Sequence, residues 1–155
     1  MNLDKTNIFG SIRTPIGIIS VQEKNKKILS LNWTNRIIEP STPLLIKTLL
    51  KIKNYFEKKK DICSIPIKLD KTDAQIKILL AIMNIPIGRF TTYGKLAKQL
   101  NTHPRFVGYT CSINPLPLII PCHRILSVDK KIGGYSCGKG KETKLWLLKH
   151  EKIYL

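Results

Sequence analysis

The residues with the clearest capacity for chemistry lie in the segment Pro121-Cys122-His123-Arg124. A proline before Cys122 biases the backbone towards an extended or turn geometry, which favours presenting the thiol rather than burying it in a helix. A free thiol has a pKa of about 8.5, so at neutral pH it needs a base before it attacks carbon. The imidazole of His123 can take that proton directly or through water, provided that a carboxylate orients its other nitrogen. The segment therefore predicts nucleophilic chemistry at Cys122.

Glu151 is the candidate for that carboxylate, because it is one of the few acids near the end of the chain. A lone cysteine is by default a small buried hydrophobe, and that interpretation is kept for Cys63. A zinc site is the other competitor. Adjacent Cys122 and His123 lack normal ligand spacing and no second pair completes a tetrahedron, so we expect no metal.

The elements that must position these residues fall into two halves. The first half predicts three strands, a helix and a linking segment before a boundary near Lys71. The strands are expected at residues 7–12, 16–23 and 27–33, as an antiparallel meander, and the helix at 43–60 with Leu45, Leu49, Ile52 and Phe56 inward.

The second half is predicted to be mostly helical. The first of its helices is expected at residues 73–85, with Ile76, Leu79, Leu80 and Met83 inward. Thr92 can cap a short helix, and after a turn at 101–103 Pro104 can open a second one over 105–112. The second helix would point Val107 and Cys111 inward and Arg105, Gly108 and Ser112 outward. Two short helices joined in this way resemble a helix-turn-helix.

The formal charge is +17, from 27 basic and 10 acidic residues, which favours a polyanionic partner such as nucleic acid or an anionic membrane surface. A lysine-rich composition also arises from an AT-rich genome, so the distribution of charge is more informative than its total. No acid lies between Asp73 and Asp129. The basic residues of that window are expected to face phosphates: Lys77, Arg89, Lys95, Lys98, Arg105 and Arg124.

The N-terminal sequence MNLDKTNIFG has no apolar signal region, and the longest apolar stretches are too short to span a bilayer. We therefore expect a cytoplasmic protein, or a nuclear one if the organism is a eukaryote, with no membrane partner. Its four cysteines contain no CxxC pair and are expected to be reduced.

Several motifs occur together in one order and spacing. They are Thr91-Thr92-Tyr93-Gly94, Arg105-x-Val107-Gly108, Asn114-Pro115, Pro121-Cys122-His123-Arg124, Gly133-Gly134-Tyr135-Ser136 and Trp146-Leu147-Leu148-Lys149-His150-Glu151. This set resembles the O6-alkylguanine-DNA alkyltransferase family, strongly over roughly residues 74–155 and in outline before that.

The resemblance implies an α+β fold. Residues 1–70 would form a structural domain, a small antiparallel β-sheet with a helix in an RNase H-like outline. Residues 71–155 would form the alkyl-transfer domain, mostly helical, with a winged-helix-like helix-turn-helix. It also implies DNA repair by a monomer without a cofactor. A methyl or other alkyl group would pass from O6-alkylguanine, with O4-alkylthymine as a further substrate, to Cys122, once per molecule.

The resemblance implies a role for each residue of the site. Cys122 would be the nucleophile, His123 its water-mediated base and Glu151 the group that orients His123. Tyr93 would donate towards N3 of the guanine, and Asn114 would brace the backbone between the second helix and the active-site segment.

The other residues implied by the resemblance contact the base or the DNA. The carbonyls of Cys122 and Ile125 would accept from the exocyclic amine, the Ser136 amide would donate to O6, and Pro117 and Tyr135 would enclose the alkyl group. The second helix, with Gly108 and Ser112 on its outer face, would enter the minor groove of double-stranded DNA. Tyr93 and Gly94 would contact phosphate, and Arg105 would replace the flipped base or, alternatively, contact a phosphate.

The chain departs from the family pattern in the second helix, where Phe106 and Tyr109 stand at positions that are commonly small. These rings would either insert near the lesion or turn into the protein. Cys137 would narrow the pocket. Other functions left open are a non-catalytic protein that binds alkylated DNA, a helix-turn-helix regulator and a thiol hydrolase.

Overall fold

The computed structural model describes residues 7–155 and divides the chain into two compact units, which meet between Leu69 and Asp70. Within the described residues there are a three-stranded antiparallel sheet, a two-stranded parallel pair and five α-helices. This confirms the α+β class. The expectation that no targeting segment is present rests partly on residues 1–6, which lie outside the described range.

The sheet of the first unit is a meander of β1 (Asn7–Thr14), β2 (Gly17–Lys24) and β3 (Lys27–Thr34), in that order. Asn25 and Lys26 connect the last two strands with φ values of 50° and 59°. Two successive residues with positive φ define the tight turn that matches the twist of a hairpin. The predicted meander is confirmed, and its strands run slightly further than predicted.

Helix α1 (Pro43–Lys58) packs against β1 and β2. The Thr42 side chain caps it by accepting from the amide of Leu45, and the helix ends where Lys59 adopts the left-handed conformation. Its buried face contains Leu45, Leu49 and Ile52, as predicted. Thr48 and Tyr55 are buried as well, whereas the predicted Phe56 is only partly covered.

The second unit begins with α2 (Asp73–Met83), which a capping box between Thr72 and Gln75 initiates. Ile78, Leu79 and Ile82 form its buried face. The prediction that Leu80 points inward is wrong, because 41% of its surface is exposed. A helix composed almost entirely of apolar residues gives little periodic contrast from which to choose the buried face.

Two short helices follow, α3 (Tyr93–Gln99) and α4 (Pro104–Ser112), which pack against each other. Thr92 caps α3 by accepting from the amide of Lys95, as predicted. Immediately before α3, β4 (Thr91–Thr92) pairs in parallel with β5 (Ile125–Leu126). This pairing brings the start of α3 beside the segment that carries Cys122.

Cys122–Arg124 form a single 3₁₀ turn that leads directly into β5. The last helix, α5 (Lys141–His150), packs against this turn and buries Leu147 and Leu148. Among the helices of residues 7–155, none combines the length and apolar character needed to cross a bilayer.

Candidate active site

Cys122 lies in the wall of a cavity of about 470 Å³. That volume is within the range of roughly 300–1,000 Å³ that is usual for small-molecule sites. Helices α3 and α4, the 3₁₀ turn and the loop after β5 supply the lining residues: Tyr93, Gly108, Cys111, Ser112, Cys122, Gly133, Gly134, Tyr135 and Ser136. Cys122 is almost completely buried and contributes to the lining of this cavity.

His123 and Glu151 form a buried pair. Nε2 of His123 lies 2.6 Å from Oε2 of Glu151, and neither side chain is exposed. Because a carboxylate only accepts, the imidazole proton belongs on Nε2 in the neutral ring. Nδ1 then carries a free lone pair, and among residues 7–155 it has no hydrogen-bond partner. This arrangement leaves one imidazole nitrogen available to accept a proton.

Arg124 is the third member of this cluster. Its Nε donates to Oε1 of Glu151 at 2.6 Å, Nη2 contacts the same oxygen, and Nη1 donates to the carbonyl of Ile85 at 2.5 Å. The prediction that Arg124 faces phosphate is wrong, because only 3% of its surface is exposed. Burial of the Glu151 carboxylate requires a compensating charge, and the guanidinium supplies it.

The electrostatics of the cluster follow from its burial. Burial lowers the pKa of His123, against the opposing effect of Glu151, so the ring is neutral at neutral pH. For Glu151 burial acts to raise the pKa, but the hydrogen bonds from His123 and Arg124 outweigh it and the pKa is lowered. In the resting protein the His123 imidazole is thus neutral, with Nε2 bound to the Glu151 carboxylate and Nδ1 without a hydrogen-bond partner among residues 7–155.

The cavity also changes the acidity of its thiol and phenol. Burial raises the pKa of Cys122 to about 11, although a hydrogen bond with Asn114 and the charge of Lys144 act to lower it. Burial likewise raises the pKa of Tyr93 to about 12. At neutral pH both groups keep their protons, so the thiol needs a base and the phenol is a hydrogen-bond donor.

Asn114 lies where α4 leads into the active-site segment. Its amide nitrogen donates to the carbonyl of Ile120 at 2.9 Å, and its amide oxygen accepts from the amide of Leu116 at 2.9 Å. Both bonds are buried, and they fix the backbone segment that precedes Pro121. The side chain thereby fixes the loop in front of Cys122.

Only some of the residues expected to contact the base line the cavity. Tyr135 and Ser136 line the cavity. Pro117 is buried and is not among the lining residues. The carbonyls of Cys122 and Ile125 already accept hydrogen bonds, from the Ile125 amide and from Nζ of Lys144 respectively.

The residues expected to contact DNA lie at the surface of α3 and α4 or at the cavity mouth. Gly94, Arg105 and Ser112 are exposed. Gly108 faces Tyr93: a Cβ added at Gly108 would lie 3.9 Å from the phenol ring. On the outer side of α4, Tyr109 is 56% exposed.

Sequence reasoning missed Cys111 and Lys144. Cys111 was assigned to the protein interior, and it contributes to the cavity wall. Lys144 has no exposed surface and its Nζ donates to the carbonyl of Ile125 at 2.8 Å. The signal for Lys144 was its phase, since it shares a face of α5 with the buried Leu147 and Leu148.

The cavity with Cys122 in its wall, the helix pair and the buried His–Glu pair together form a candidate active site. The family model described as "6-O-methylguanine DNA methyltransferase, DNA binding domain" matches residues 73–153. A methylated-DNA–protein-cysteine methyltransferase of Saccharolobus islandicus is 33% identical over 148 residues, which cover 94% of this chain and 96% of that protein.

Solved structures agree with the sequence match. The crystal structure of Mycobacterium tuberculosis O6-methylguanine methyltransferase gives a TM-score of 0.82 at 26% identity, covering 94% of this chain and 93% of that one. The crystal structure of Mycobacterium tuberculosis OGT in complex with DNA gives 0.82 at 27% identity, covering 93% and 92%. The chain belongs to the 6-O-methylguanine DNA methyltransferase family and is a DNA repair methyltransferase.

Proposed function

We propose that the chain transfers a methyl or other alkyl group from O6-alkylguanine in double-stranded DNA to Cys122, and that each molecule reacts once. O4-alkylthymine is the further substrate of the same site. The observation that supports this proposal is the position of Cys122 in a cavity wall, next in sequence to a buried histidine whose Nε2 is held by Glu151 and whose Nδ1 has no hydrogen-bond partner among residues 7–155.

The transfer is a displacement at the alkyl carbon. The sulfur of Cys122 forms a bond to that carbon while the bond between the carbon and O6 breaks, and the electron pair of the broken bond stays with the guanine. The thiol proton passes through a water molecule to Nδ1 of His123, and Glu151 stabilises the imidazolium that results. The protonated phenol of Tyr93 supports departure of guanine by donating towards N3, and the proton held by His123 finally neutralises the base.

The product is an S-alkylcysteine, and its chemistry explains the single turnover. A thioether is not hydrolysed by the hydroxyls that line the cavity or by the buried His123 and Glu151. No cofactor is required, because the leaving group, the nucleophile and the proton acceptor are all supplied by DNA and protein.

Recognition of the lesion requires base flipping, because a paired and stacked guanine does not offer its O6 substituent to a pocket. We assign the groove contact to α4, with Gly108 and Ser112 towards the minor groove and Arg105 in the place of the flipped base. Tyr93 and Gly94 contact phosphate at the start of α3. Inside the cavity the Ser136 amide donates to O6, and Tyr135 confines the alkyl group. Pro117, which is buried outside the lining, is assigned to the same enclosure. The carbonyls of Cys122 and Ile125 accept from the exocyclic amine through their second lone pairs.

This assignment makes residues 71–155 the reacting, helix-turn-helix domain and residues 1–70 a structural one. The protein acts as a monomer in the cytoplasm, or in the nucleus of a eukaryote.

The test is a transfer assay with duplex DNA that carries radiolabelled O6-methylguanine. We expect one label per protein molecule, at the peptide that contains Cys122, with no further uptake when DNA is in excess. The matched control is Cys122→Ser, which should bind the DNA and take up no label.

The other outcomes correspond to other functions. Label that stays on DNA bound by the wild-type protein would indicate a non-catalytic lesion-binding protein. Binding that ignores the lesion and is unaffected by the Cys122 substitution would indicate a helix-turn-helix regulator, and repeated turnover of ester substrates would indicate a thiol hydrolase.

A further inference from the structure

Two thiols share the wall of the candidate active site. Cys111, in the last turn of α4, and Cys122, in the 3₁₀ turn, both line the cavity. Cys111 is partly exposed, whereas Cys122 is almost completely buried. The alkyl transfer proposed above uses only Cys122, and a cysteine without a chemical role is a small apolar residue. A second free thiol that lines the same space as the nucleophile has therefore no role so far.

A short series of hydrogen bonds through Asn114 connects the two cysteines. The backbone amide of Asn114 donates to the carbonyl of Cys111 at 3.2 Å, and its side-chain amide donates to the carbonyl of Ile120 at 2.9 Å. The carbonyl of Ile120 also accepts from the amide of Cys122 at 2.8 Å. A disulfide requires two cysteines whose Cα atoms lie within about 7 Å of each other. The shared Asn114 holds the two segments side by side, as such a pair requires.

The two thiols also act on each other electrostatically. Burial first, and then the charge of Cys122, raises the pKa of Cys111 to about 12. This effect needs the two sulfurs to be near each other, because the energy between two charges falls with their separation. At neutral pH Cys111 is thus a protonated thiol, which reacts slowly with an alkyl carbon. It is a neighbour of the acceptor rather than a second acceptor.

Cys137 is the other thiol near this site, and it is less well placed. It belongs to the loop between β5 and α5 and is not among the residues that line the cavity. Its sulfur lies 3.9 Å from Oγ of Ser136. Cys111, in contrast, is fixed in a helix and lines the same cavity as Cys122. Cys111 is therefore the thiol that the fold itself holds beside the nucleophile.

We propose that Cys111 is a resolving thiol for Cys122: under oxidation the two form a disulfide that closes the alkyl acceptor until a thiol reductant reopens it. This inference rests on the proposed function of Cys122 as the acceptor. A disulfide has no free sulfur to attack an alkyl carbon, so the oxidised protein is inactive. Without a resolving thiol, further oxidation to sulfinic or sulfonic acid would destroy the acceptor of that molecule.

The oxidant is a hydroperoxide, with hydrogen peroxide as the simplest case. The sulfur of Cys122 attacks one peroxide oxygen, with His123 again as the base: an S–O bond forms, the O–O bond breaks, and the departing hydroxide leaves as water with the thiol proton. The sulfur of Cys111 then attacks the sulfenic acid of Cys122. An S–S bond forms, the S–O bond breaks, and a second water carries away the Cys111 proton. Two thiols lose two electrons, and the peroxide is reduced to two waters.

The experiment treats the reduced full-length protein with hydrogen peroxide in the absence of DNA. Peptides digested without reductant are mapped by mass spectrometry, and a second sample is returned to dithiothreitol and assayed for uptake of label from methylated duplex. Each variant is compared with its own untreated sample. Cys111→Ser and Cys111→Ala remove the resolving thiol, and Cys137→Ser removes the alternative partner. Cys63→Ser, at an exposed position of the first unit, is the matched control.

In the wild type we expect a pair of peptides joined through Cys111 and Cys122, with no label uptake before reduction and nearly full uptake after it. In the two Cys111 variants Cys122 should be found as sulfinic or sulfonic acid, which dithiothreitol does not reduce, so the recovered uptake should be several-fold lower. The Cys63 and Cys137 variants should recover as the wild type does.

A treated wild type in which Cys122 is oxidised but not joined to Cys111 overturns the proposal, and so does a disulfide with Cys137. Equal recovery with and without Cys111 also overturns it, since the second thiol would then protect nothing. The peptide map of the wild type needs neither DNA nor a variant, so it is independent of the transfer assay. A wild-type protein that forms the disulfide but takes up no label from methylated DNA would refute the proposed function and leave the thiol pair established.

Discussion

Glu151 holds His123 with one carboxylate oxygen and Arg124 with the other: Oε2 lies 2.6 Å from Nε2 of His123, and Oε1 accepts from Nε of Arg124 at 2.6 Å. The two contacts have different consequences. The first sets the tautomer of the imidazole, and the second neutralises a guanidinium with almost no exposed surface. One carboxylate therefore orients the imidazole and compensates a buried charge.

Substitution of Glu151 should separate these two roles. Glu151→Gln keeps hydrogen-bonding capacity but loses the charge that stabilises an imidazolium, so alkyl transfer should slow by about 10²-fold, within the range for acid–base catalysis. Both substitutions remove the charge that compensates the buried Arg124, and Glu151→Ala also removes the hydrogen-bond acceptor, so it should lower the free energy of unfolding further, by about 3 kcal/mol. Single-turnover label transfer and urea denaturation measure the two effects. DNA affinity that falls in parallel with the transfer rate of Glu151→Gln would contradict this division.

Stability should decrease in weak acid. The pKa of His123 lies below its ordinary value of 6.5 in the folded chain, so below about pH 6.5 the unfolded chain binds a proton that the folded chain does not. Unfolding is then favoured as the pH falls from 6.5 towards the folded pKa of His123, and the lowered pKa of Glu151 extends the loss to stronger acid. Urea unfolding at several pH values measures the slope. In His123→Gln the first part of the decline should disappear, and an identical slope in that variant would assign it to another group.

Arg105 is exposed at the start of α4, where it is proposed to replace the flipped base. Arg105→Ala should therefore reduce repair of duplex DNA while the reaction with free O6-benzylguanine, which needs no flipping, changes little. Arg89→Ala, another exposed arginine of the acid-free segment, is the control for lost charge alone. Equal losses on both substrates would remove the flipping role from Arg105.

Asn114 makes two buried hydrogen bonds to backbone and also acts to lower the pKa of Cys122. Asn114→Ala leaves the buried amide of Leu116 without its acceptor, while the carbonyl of Ile120 keeps its bond from the Cys122 amide. The unsatisfied amide should cost about 1–3 kcal/mol of unfolding free energy. The pH midpoint for alkylation of Cys122 by iodoacetamide should also rise. A variant that loses stability but keeps the wild-type profile would limit Asn114 to a structural role.

Tyr109 presents its ring to solvent on α4. If the ring contributes to groove binding, Tyr109→Ala should weaken duplex binding measurably while the free energy of unfolding changes by no more than about 0.5 kcal/mol, as for other surface positions. Tyr154→Ala, at a ring that is 74% exposed, provides the control. Fluorescence anisotropy with lesion-bearing duplex measures both. Unchanged affinity in Tyr109→Ala would exclude the ring from the interface.

Strands β1–β3 and helices α1–α4 were predicted from local signals, whereas β4, β5, the 3₁₀ turn and the bounds of α5 were not. Thr92 stands directly before a helical repeat, and Asn25-Lys26 stand between two strands. Neighbouring residues were therefore enough to predict the helix start and the turn. The buried face of α2 was harder to predict from the sequence. Apolar residues lie on several sides of this helix, so tertiary packing decides which of them are buried. Leu80 was misassigned for that reason.

The residues of the candidate site also differ in how well the sequence predicted them. Cys122 and His123 are adjacent in sequence, and Glu151 followed from the family motif rather than from spacing. Arg124 was assigned to the surface because a basic side chain is exposed in most contexts. Lys144 was missed for the same reason, although its phase with Leu147 and Leu148 on α5 indicated burial. Their burial is a property of the packing between the 3₁₀ turn and α5.

No helix or strand lies between Leu126 and Lys141, yet Gly133, Gly134, Tyr135 and Ser136 from this stretch form one wall of the cavity. Cys122 and His123, the proposed nucleophile and proton acceptor, lie instead on the buried 3₁₀ turn. Selectivity for bulky or small adducts can thus diverge between relatives by exchange of loop residues, with the reacting groups left untouched. Guanine analogues that carry different O6 substituents should therefore discriminate between this protein and others that share its chemistry.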